Sequence, residues 1–208
     1  MQAMPADVLD FWFAGPRDDA RHIRARIDVW FGVHAEFDRA CRERWSDLLE
    51  VALRDELESW RSTDRGTLAL IILLDQLTRN IHRGTARAYA GDAQARALAD
   101  HGIALGFDRS LTPIERLFFY TPYEHAEDLA GQDRYIKLGA KLADDGDEEF
   151  AWLAPLSVKS GHEHREIIAR FGRFPHRNAV LGRPSTAAER EWLAAQGRNW
   201  GQTPREPD

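Results

Sequence analysis

The longest apolar run of the chain leads directly into a polar segment. Residues 68–74 are seven consecutive apolar residues, and the next eight positions are rich in hydrogen-bonding side chains. On a helix, Asp75, Arg79 and His82 fall within about 60° of one another. The aliphatic residues lie on the opposite side: Leu70, Leu73, Leu74, Leu77 and Ile81. The pattern predicts a buried helix over residues 68–82, closed by Gly84, with one polar wedge.

Apolar residues recur with the helical period of three to four residues through much of the remaining chain. This spacing predicts a short helix over residues 5–13, a long helix over residues 34–60 and another over residues 92–105. A further helix, interrupted near Pro155, is predicted to end at Phe171.

Three capping boxes mark predicted helix starts. Thr112 and Thr121 are each followed by a proline at the first helical position and a glutamate three residues later. Thr186 begins a third box, which ends at Glu189. In such a box the threonine hydroxyl and the glutamate carboxylate bind backbone N–H groups at the start of a helix. We therefore predict that a helix begins after each of these threonines.

No segment shows the alternation of β-branched and polar residues, bounded by turn residues, that is typical of strands. We therefore predict an all-α fold built from antiparallel helix pairs. The length of 208 residues fits one domain. We assign residues 1–200 to a single helical domain and the Pro-rich, charged residues 201–208 to a disordered tail.

Composition and charge exclude several classes of protein. The net charge of −6 argues against a nucleic-acid partner, whose phosphates the whole-molecule field would repel. The single cysteine, Cys41, excludes an internal disulfide, and its helical context predicts a buried apolar role. We find no signal-peptide pattern and no apolar run near the ~20 residues that span a bilayer. We expect a cytoplasmic protein without a membrane partner.

The polar wedge of the central predicted helix is the first candidate site. Asp75 lies four residues before Arg79, which is the favourable order for an acid–base pair on a helix. Gln76 and Asn80 extend the wedge with short, hydrogen-bond-specific side chains, whereas solvated helix faces are usually rich in Glu and Lys. The wedge is either the wall of a pocket, where buried charges shift pKa values, or a face exposed to solvent.

A second candidate site follows the capping box at Thr121. If a helix begins there, His125, Asp128 and Gln132 share one of its faces and Glu124 is the acid of the capping box. His125 then lies near a helix N-terminus, where the helix dipole favours the neutral imidazole. Either a pocket or the surface could hold this histidine.

A third candidate site lies toward the C-terminus. His164 shares the apolar face of its predicted helix, a position that more often holds a core residue than a ligand. Beyond this helix, Arg173, His176, Arg177 and Asn178 form the most basic segment of an acidic chain. Such a segment suits a carboxylate or a phosphate, and a solvent-exposed loop is the alternative.

Several motifs of catalytic and metal sites are missing from the sequence. The chain has no His-Glu-x-x-His pair, no glycine-rich phosphate loop and no Gly-x-Ser-x-Gly segment. His162 and His164 are separated by one residue and point about 200° apart on a helix. We therefore expect no metal ion and no cofactor.

Seven segments of the chain resemble the bacterial proteins catalogued as domain of unknown function nine hundred and twenty-four. The segments are residues 9–13 (LDFWF), 37–38 (FD), 74–80 (LDQLTRN), 124–127 (EHAE), 171–178 (FGRFPHRN), 181–183 (LGR) and 185–186 (ST). The resemblance extends from about Val8 to Leu193. Ala126 departs from the family pattern, which has a serine there, and the loss of this hydroxyl weakens the hypothesis of a nucleophile at this position.

The resemblance implies an all-helical fold similar to tetratricopeptide repeats, with degenerate repeats that leave no fixed period in the sequence. It implies no established activity. It also implies that ten polar residues form one site: Asp75, Gln76, Arg79, Asn80, His125, Glu127, Arg173, His176, Arg177 and Asn178.

Three hypotheses about function follow. In the first, a pocket binds a small polar or anionic molecule, and His125 with Glu127 or Asp75 could support acid–base hydrolysis or group transfer. The predicted ligand-binding residues are Asp75, Gln76, Arg79, Asn80, His82, Tyr120, His125, Gln132, His164, Arg173, His176, Arg177 and Asn178. In the second, the protein is an adaptor that presents a concave surface to a peptide of a partner protein. In the third, the polar residues form a buried network that fixes the registry of the helices.

Overall fold

The computed structural model describes residues 3–143 and 148–196, and within these ranges every regular element is a helix. The predicted all-α class is therefore confirmed. The predicted tail at residues 201–208 lies outside the described residues, and the assignment of residues 1–200 to one domain stays a prediction. In the part of the chain that is described, no helix is both long enough and apolar enough to cross a bilayer.

The described residues contain ten α-helices joined by short 3₁₀ turns. The α-helices are α1 (Pro5–Phe13), α2 (Ala20–Phe31), α3 (Ala35–Leu53), α4 (Asp64–Ile71), α5 (Thr78–Ile81), α6 (Asp92–Leu105), α7 (Pro113–Glu124), α8 (Leu129–Ala140), α9 (Leu153–Phe171) and α10 (Ala187–Gln196). The 3₁₀ turns are Glu58–Ser62, Ala86–Tyr89, Phe107–Ser110, Lys141–Ala143, Glu148–Phe150 and Pro175–Arg177.

The helix predicted over residues 68–82 is present and lies in the core. Helices α4 and α5 are joined by a π-helical segment (Ile72–Leu77), so residues 64–81 form one continuous element, the central helix. Its start is capped by Thr63, whose Oγ1 accepts a hydrogen bond from the N–H of Gly66. Every residue from 66 to 78 is buried, which agrees with the apolar run that predicted the helix.

The π-helical segment is a feature that the sequence pattern did not predict. The N–H of Thr78 donates to the carbonyl of Leu73, five residues earlier, in place of the usual four. The Thr78 hydroxyl donates to the same carbonyl oxygen at 2.8 Å. Short π-helical turns inside α-helices occur frequently at functional sites. This one contains Asp75 and Gln76, two residues of the predicted polar wedge.

Helices α7, α8 and α9 pack side by side in alternating directions. Gln132 on α8 donates to the carbonyl of Glu124 at the end of α7, whereas Arg116 near the start of α7 donates to the carbonyl of Lys141. Gly139 lies directly against Ser157 of α9, near the start of that helix. Helix α8 is therefore antiparallel to both neighbours, and α7 and α9 run in the same direction. The tetratricopeptide-like arrangement of all the helices stays a prediction.

Two predicted helix boundaries are wrong. The helix predicted over residues 34–60 ends at Leu53, because Asp55 adopts a left-handed backbone conformation with φ of 66° that stops the helix. No helix begins after Thr121, since α7 continues through Pro122 to Glu124. Pro122 has no N–H for the carbonyl of Phe118, and the Thr121 hydroxyl donates to that carbonyl at 2.8 Å instead.

Pro155 does not interrupt a helix, contrary to the prediction. It is the third residue of α9, and N–H groups of the first turn have no partner within a helix, so proline is tolerated there. The predicted end at Phe171 is confirmed, with Gly172 in the left-handed conformation at φ 69°. The capping box at Thr186 is confirmed in both halves. At Thr112 the helix begins as predicted, and both the backbone N–H and the hydroxyl of Thr112 donate to the Glu115 carboxylate.

Candidate functional site

A cavity of about 410 Å³ lies between α2, the central helix, α7, α8, α9 and the 3₁₀ turn Pro175–Arg177. Seven residues of the predicted site line it: Gln76, Arg79, Asn80, His125, His164, His176 and Arg177. The cavity therefore brings together residues from all three sequence segments that we singled out.

Asp75 and His125 form a hydrogen-bonded pair at the wall of the cavity. His125 Nδ1 lies 2.7 Å from Oδ1 of Asp75, whose side chain is fully buried. Burial alone would raise the pKa of Asp75, but the charge of Arg79 and the hydrogen bonds from His125 and Gln76 outweigh it and hold the pKa below its ordinary value. Asp75 is therefore a carboxylate, so the proton of this hydrogen bond resides on Nδ1. The ring nitrogen that remains for a ligand is Nε2.

The position of His125 on its helix differs from the prediction. Because α7 ends at Glu124, His125 is the C-cap of a helix and does not lie near an N-terminus. The helix dipole there favours positive charge, which is opposite to the predicted effect. Asp128 is the N-cap of α8, where its carboxylate accepts from the N–H of Gly131. His125 and Asp128 both precede α8, so they do not share a helical face with Gln132.

Arg79 is paired on two sides. Its Nη1 donates to the backbone carbonyl of Asp75 at 2.6 Å, and its two terminal nitrogens donate to the carboxylate of Asp92 at 2.9 and 3.1 Å. Burial disfavours its charge, but Asp75 and Asp92 outweigh this effect and raise the pKa of Arg79 above its ordinary value. Asp92 is the first residue of α6.

Arg177 is buried but incompletely paired. Its side chain is 8% exposed, and its one ion pair within the described residues is a contact of 3.4 Å between Nη1 and Asp92 Oδ2. The guanidinium lies over the rings of Tyr89 and Phe174, at 4.6 and 4.5 Å from their centroids. Its Nε is buried and has no hydrogen-bond partner among the described residues. Burial is the main reason that the pKa of Arg177 is lowered.

A second polar group lines the cavity where α7 meets α9. Glu124 is buried, and its Oε1 accepts from the Ser160 hydroxyl at 2.5 Å and lies 3.5 Å from His164 Nδ1. His164 Nδ1 also lies 2.9 Å from the Ser160 carbonyl. Because Glu124 is the last residue of α7, it is not the acid of a capping box, contrary to the prediction. His176 also lines the cavity and remains neutral, because burial and the nearby Arg177 lower its pKa to about 2.

Two residues of the predicted site hold the C-terminal segment in place. Glu127 accepts from Arg183 at 2.6 Å and from the N–H of Phe174 at 2.8 Å. Arg173 makes a paired contact with the carboxylate of Glu189, at 2.7 and 2.9 Å. Neither lines the cavity. These contacts position the loop that carries Arg177.

Four further predicted residues also lie outside the cavity lining. Tyr120 donates to Asp108, and Asn178 donates to Ser185. Gln132 donates to backbone carbonyls at the α7–α8 turn, and the backbone N–H of His82 donates to Thr78 where the central helix ends. The contacts of Tyr120, Asn178 and Gln132 join separate segments of the fold, whereas that of His82 lies within the central helix.

Several cavity residues were missed by sequence reasoning. Tyr89 and Asp92 lie in segments without a polar pattern, and Ser160 was not distinguished from other helix residues. Asp38 accepts from Asn80 at 2.8 Å and from Arg83 at 2.6 Å behind the cavity wall. The Phe37-Asp38 pair of the family motif was the signal that could have identified Asp38. Within the described ranges, no group of three or more His, Cys, Asp or Glu side chains could hold a metal ion.

Comparisons with known proteins agree on the family. The profile of the family described as "Bacterial protein of unknown function (DUF924)" matches residues 8–197. A solved structure of a protein of unknown function, ATU0120 from Agrobacterium tumefaciens, has 40% sequence identity and a TM-score of 0.76. The match covers 92% of this chain and 97% of that one. No curated protein matches the chain. The chain therefore belongs to the DUF924 family of bacterial proteins of unknown function.

Proposed function

We propose that the cavity binds a small anionic molecule and that Arg177 is its anchor. The observation that supports this proposal is the incomplete pairing of a buried guanidinium. A buried donor without a partner costs about 1–3 kcal/mol. Guanidinium N–H groups bind carboxylates and phosphates through short, charge-assisted hydrogen bonds. Nε is enclosed by the protein, whereas Nη2 makes no hydrogen bond within the described residues, so Nη2 is the donor that Arg177 presents to the cavity it lines.

We further propose that the Asp75–His125 pair contacts the bound molecule through Nε2 of His125. Asp75 accepts from Nδ1 over 2.7 Å, so the imidazole is fixed in position at the cavity wall. The same pair can act as an acid–base group on a bound molecule or on a water beside it.

The test is anion binding by an Arg177→Met variant. The probes are sodium phosphate and sodium acetate at constant ionic strength, and the measurement is the shift of the melting temperature. The parent protein should be stabilised by at least one probe, because the anion pairs with Arg177 in the folded state only. Arg177→Met should abolish the shift. The matched control, Arg170→Gln, removes an exposed arginine outside the cavity and should retain it.

The same variant distinguishes the anion site from a sealed structural network. Methionine keeps the apolar contact with Tyr89 and Phe174 but removes a buried charge that is poorly paired. If the site binds an anion, the ligand-free variant should unfold within about 1 kcal/mol of the parent. A loss of about 3–5 kcal/mol, as for breaking a well-paired buried ion pair, would support the structural network instead. Urea unfolding without added anions measures this difference.

We also propose the finer fold assignment, a tetratricopeptide-like arrangement of degenerate helix pairs. The antiparallel packing of α7, α8 and α9 supports it. Superposition of these helices on tetratricopeptide repeats would test it through the crossing angles of successive pairs. An adaptor function stays a prediction, and a pull-down that recovers no stoichiometric partner at low or high salt would count against it.

A further inference from the structure

The α7 residues that line the cavity change from apolar to polar along the helix. Leu117, Thr121 and His125 all line the cavity, and each lies four residues after the previous one. Residues at this spacing share one face of a helix, and eight residues span about 12 Å along its axis. The face of α7 toward the cavity is therefore aliphatic at one end and carries an imidazole at the other end.

Helix α9 shows the same change in the same direction. Leu156, Ser160 and His164 line the cavity at the same four-residue spacing. Since α7 and α9 run in the same direction, the contact of 3.5 Å between Glu124 and His164 fixes their relative level. The two leucines then lie about two helical turns from this contact, at one common end of the cavity.

Two aromatic residues of α2 complete the apolar end. Trp30 and Phe31 line the cavity and contact the ring of Phe118, with centroid distances of 5.0 and 6.1 Å. Phe118 is adjacent to Leu117 on α7, so these rings lie at the apolar level. The indole N–H of Trp30 donates to the carbonyl of Trp12 and offers no free polar group to the cavity.

The apolar end is also the open end. Phe31 and Leu156 are 54% and 39% exposed, whereas Asp75 and Arg177 at the polar end are buried. The hydroxyls of Thr121 and Ser160, at the intermediate level, are hydrogen-bonded to Phe118 and Glu124. A ligand that reaches Arg177 from the mouth therefore passes the apolar side chains of Leu117, Trp30 and Leu156. The charged side chains of Lys159 and Glu163 also line the cavity, on α9.

We propose that the ligand of this cavity is an anion with an extended hydrocarbon chain, such as a medium-chain fatty acid, and this inference rests on the proposed anion site. The carboxylate binds Arg177 beside His125. The chain extends toward the mouth along Leu117, Trp30, Phe31 and Leu156. Burial of each methylene is worth about 0.8 kcal/mol, which corresponds to an affinity gain of about fourfold per methylene.

The experiment is a chain-length series measured by isothermal titration calorimetry at constant ionic strength. The probes are sodium butyrate, hexanoate and octanoate, with octanol as the uncharged comparison, all below the concentrations at which they aggregate. The parent protein should gain about fourfold in affinity per methylene. Octanol should bind at least tenfold more weakly than octanoate, because Arg177 has no anion to pair with.

Variants at the two ends of the cavity test the hydrocarbon-chain inference and the anion-site proposal separately. Leu156→Gln should reduce the gain from butyrate to octanoate and leave butyrate affinity unchanged. Leu129→Gln is the matched control, because Leu129 has a similar exposure of 42% and lies outside the cavity lining. Arg177→Met should weaken all three carboxylates.

Three other outcomes would each contradict the chain inference, the anion site or both. Equal affinities for butyrate and octanoate, both lost in Arg177→Met, would overturn the inference about the chain and leave the anion site standing. A chain-length gain that persists in Arg177→Met would show adventitious hydrophobic binding and would contradict the anion site. Absence of any carboxylate binding that depends on Arg177 would overturn both.

Discussion

Asp75 is the residue through which the polar contacts of the cavity are connected. Its carboxylate accepts from Gln76 at 2.6 Å and contacts both Arg79 and His125. The side chain is fully buried, so these contacts provide the compensation that a buried charge requires. They also fix which nitrogen of His125 carries its proton. Asp75 is therefore important for the stability of the fold and for the orientation of His125 at the cavity wall.

Asp75→Asn should destabilise the protein by about 3–5 kcal/mol at neutral pH, because it removes the buried carboxylate that pairs with Arg79 and accepts from His125. Urea unfolding of parent and variant measures the loss. The control is Asp133→Asn, which breaks an exposed pair with Arg165 and should cost less than about 1 kcal/mol. Equal losses in the two variants would contradict the central position of Asp75.

The contribution of Asp75 to stability should depend on pH in the acid range. Its pKa in the folded protein lies below the ordinary value of 3.8, so the unfolded chain binds its proton first as the pH falls. The stabilisation is complete above about pH 4 and decreases as the pH falls further. The difference in unfolding free energy between parent and Asp75→Asn should therefore narrow below pH 4, and a difference independent of pH would contradict this assignment.

At the scale of elements, apolar spacing and capping motifs predicted helix bounds correctly where no other contact competed with them. The spacing of apolar residues gave the bounds of α1 and α6, and the capping box at Thr112 gave the start of α7. The equivalent signal at Thr121 failed, because the Thr121 hydroxyl replaces the N–H that Pro122 lacks and the helix continues. A hydroxyl can cap a helix or bridge a proline inside it, and the sequence alone does not distinguish the two.

The π-helical segment and the loop that packs on it set the position of Asp92. Gly91 lies directly against the backbone of Leu74, so a Cβ atom at position 91 would come within 2.2 Å of the Leu74 carbonyl oxygen. The close approach places Asp92, the next residue, within hydrogen-bond distance of Arg79. No periodicity in the sequence indicates this contact between backbones.

Gly91→Ala should destabilise the protein by about 1–3 kcal/mol, since a methyl group is forced into a packed contact with backbone atoms. It should also weaken anion binding, because relief of the overlap moves Asp92 away from Arg79 and Arg177. Thermal unfolding and calorimetry with octanoate measure the two effects. The exposed neighbour Ala90, changed to Ser, is the control and should alter neither quantity. Unchanged stability in Gly91→Ala would contradict the close approach.

At the scale of the whole molecule, the candidate site is assembled from segments about fifty residues apart. Residue types pointed to Asp75, His125 and Arg177 separately, and the family motifs grouped them. Which members face the cavity could not be predicted, because that depends on packing among α7, α8 and α9. Arg173 and Arg177 were both predicted to bind the anion. Arg177 lines the cavity, whereas Arg173 is paired with Glu189 and lies outside the lining.

Glu127 connects this assembly to the C-terminal segment. It was predicted as a possible catalytic acid, but its two oxygens accept from Arg183 and from the N–H of Phe174. Burial would raise the pKa of Glu127, and these two partners outweigh it, so the group remains a carboxylate. It therefore joins the α7–α8 turn to the loop that carries Arg177, which makes it a positioning residue.

Glu127→Gln should loosen this loop without unfolding the core. Hydrogen bonds to a charged group are worth about 1.5–3 kcal/mol, so amide hydrogen exchange in residues 173–183 should accelerate by about tenfold to a hundredfold. Octanoate affinity should fall, because Arg177 is held less firmly. Exchange in the central helix should not change, because its hydrogen bonds lie in a separate, fully buried core.

The matched control is Glu166→Gln, an exposed glutamate of α9 outside the cavity lining, which should change neither exchange nor affinity. If Glu127→Gln lowered octanoate affinity while exchange in residues 173–183 stayed at the parent rate, Glu127 would act on the ligand directly. In that case its assignment as a positioning residue would be wrong. Faster exchange together with weaker octanoate binding is the result expected of a residue that acts by holding Arg177 in place.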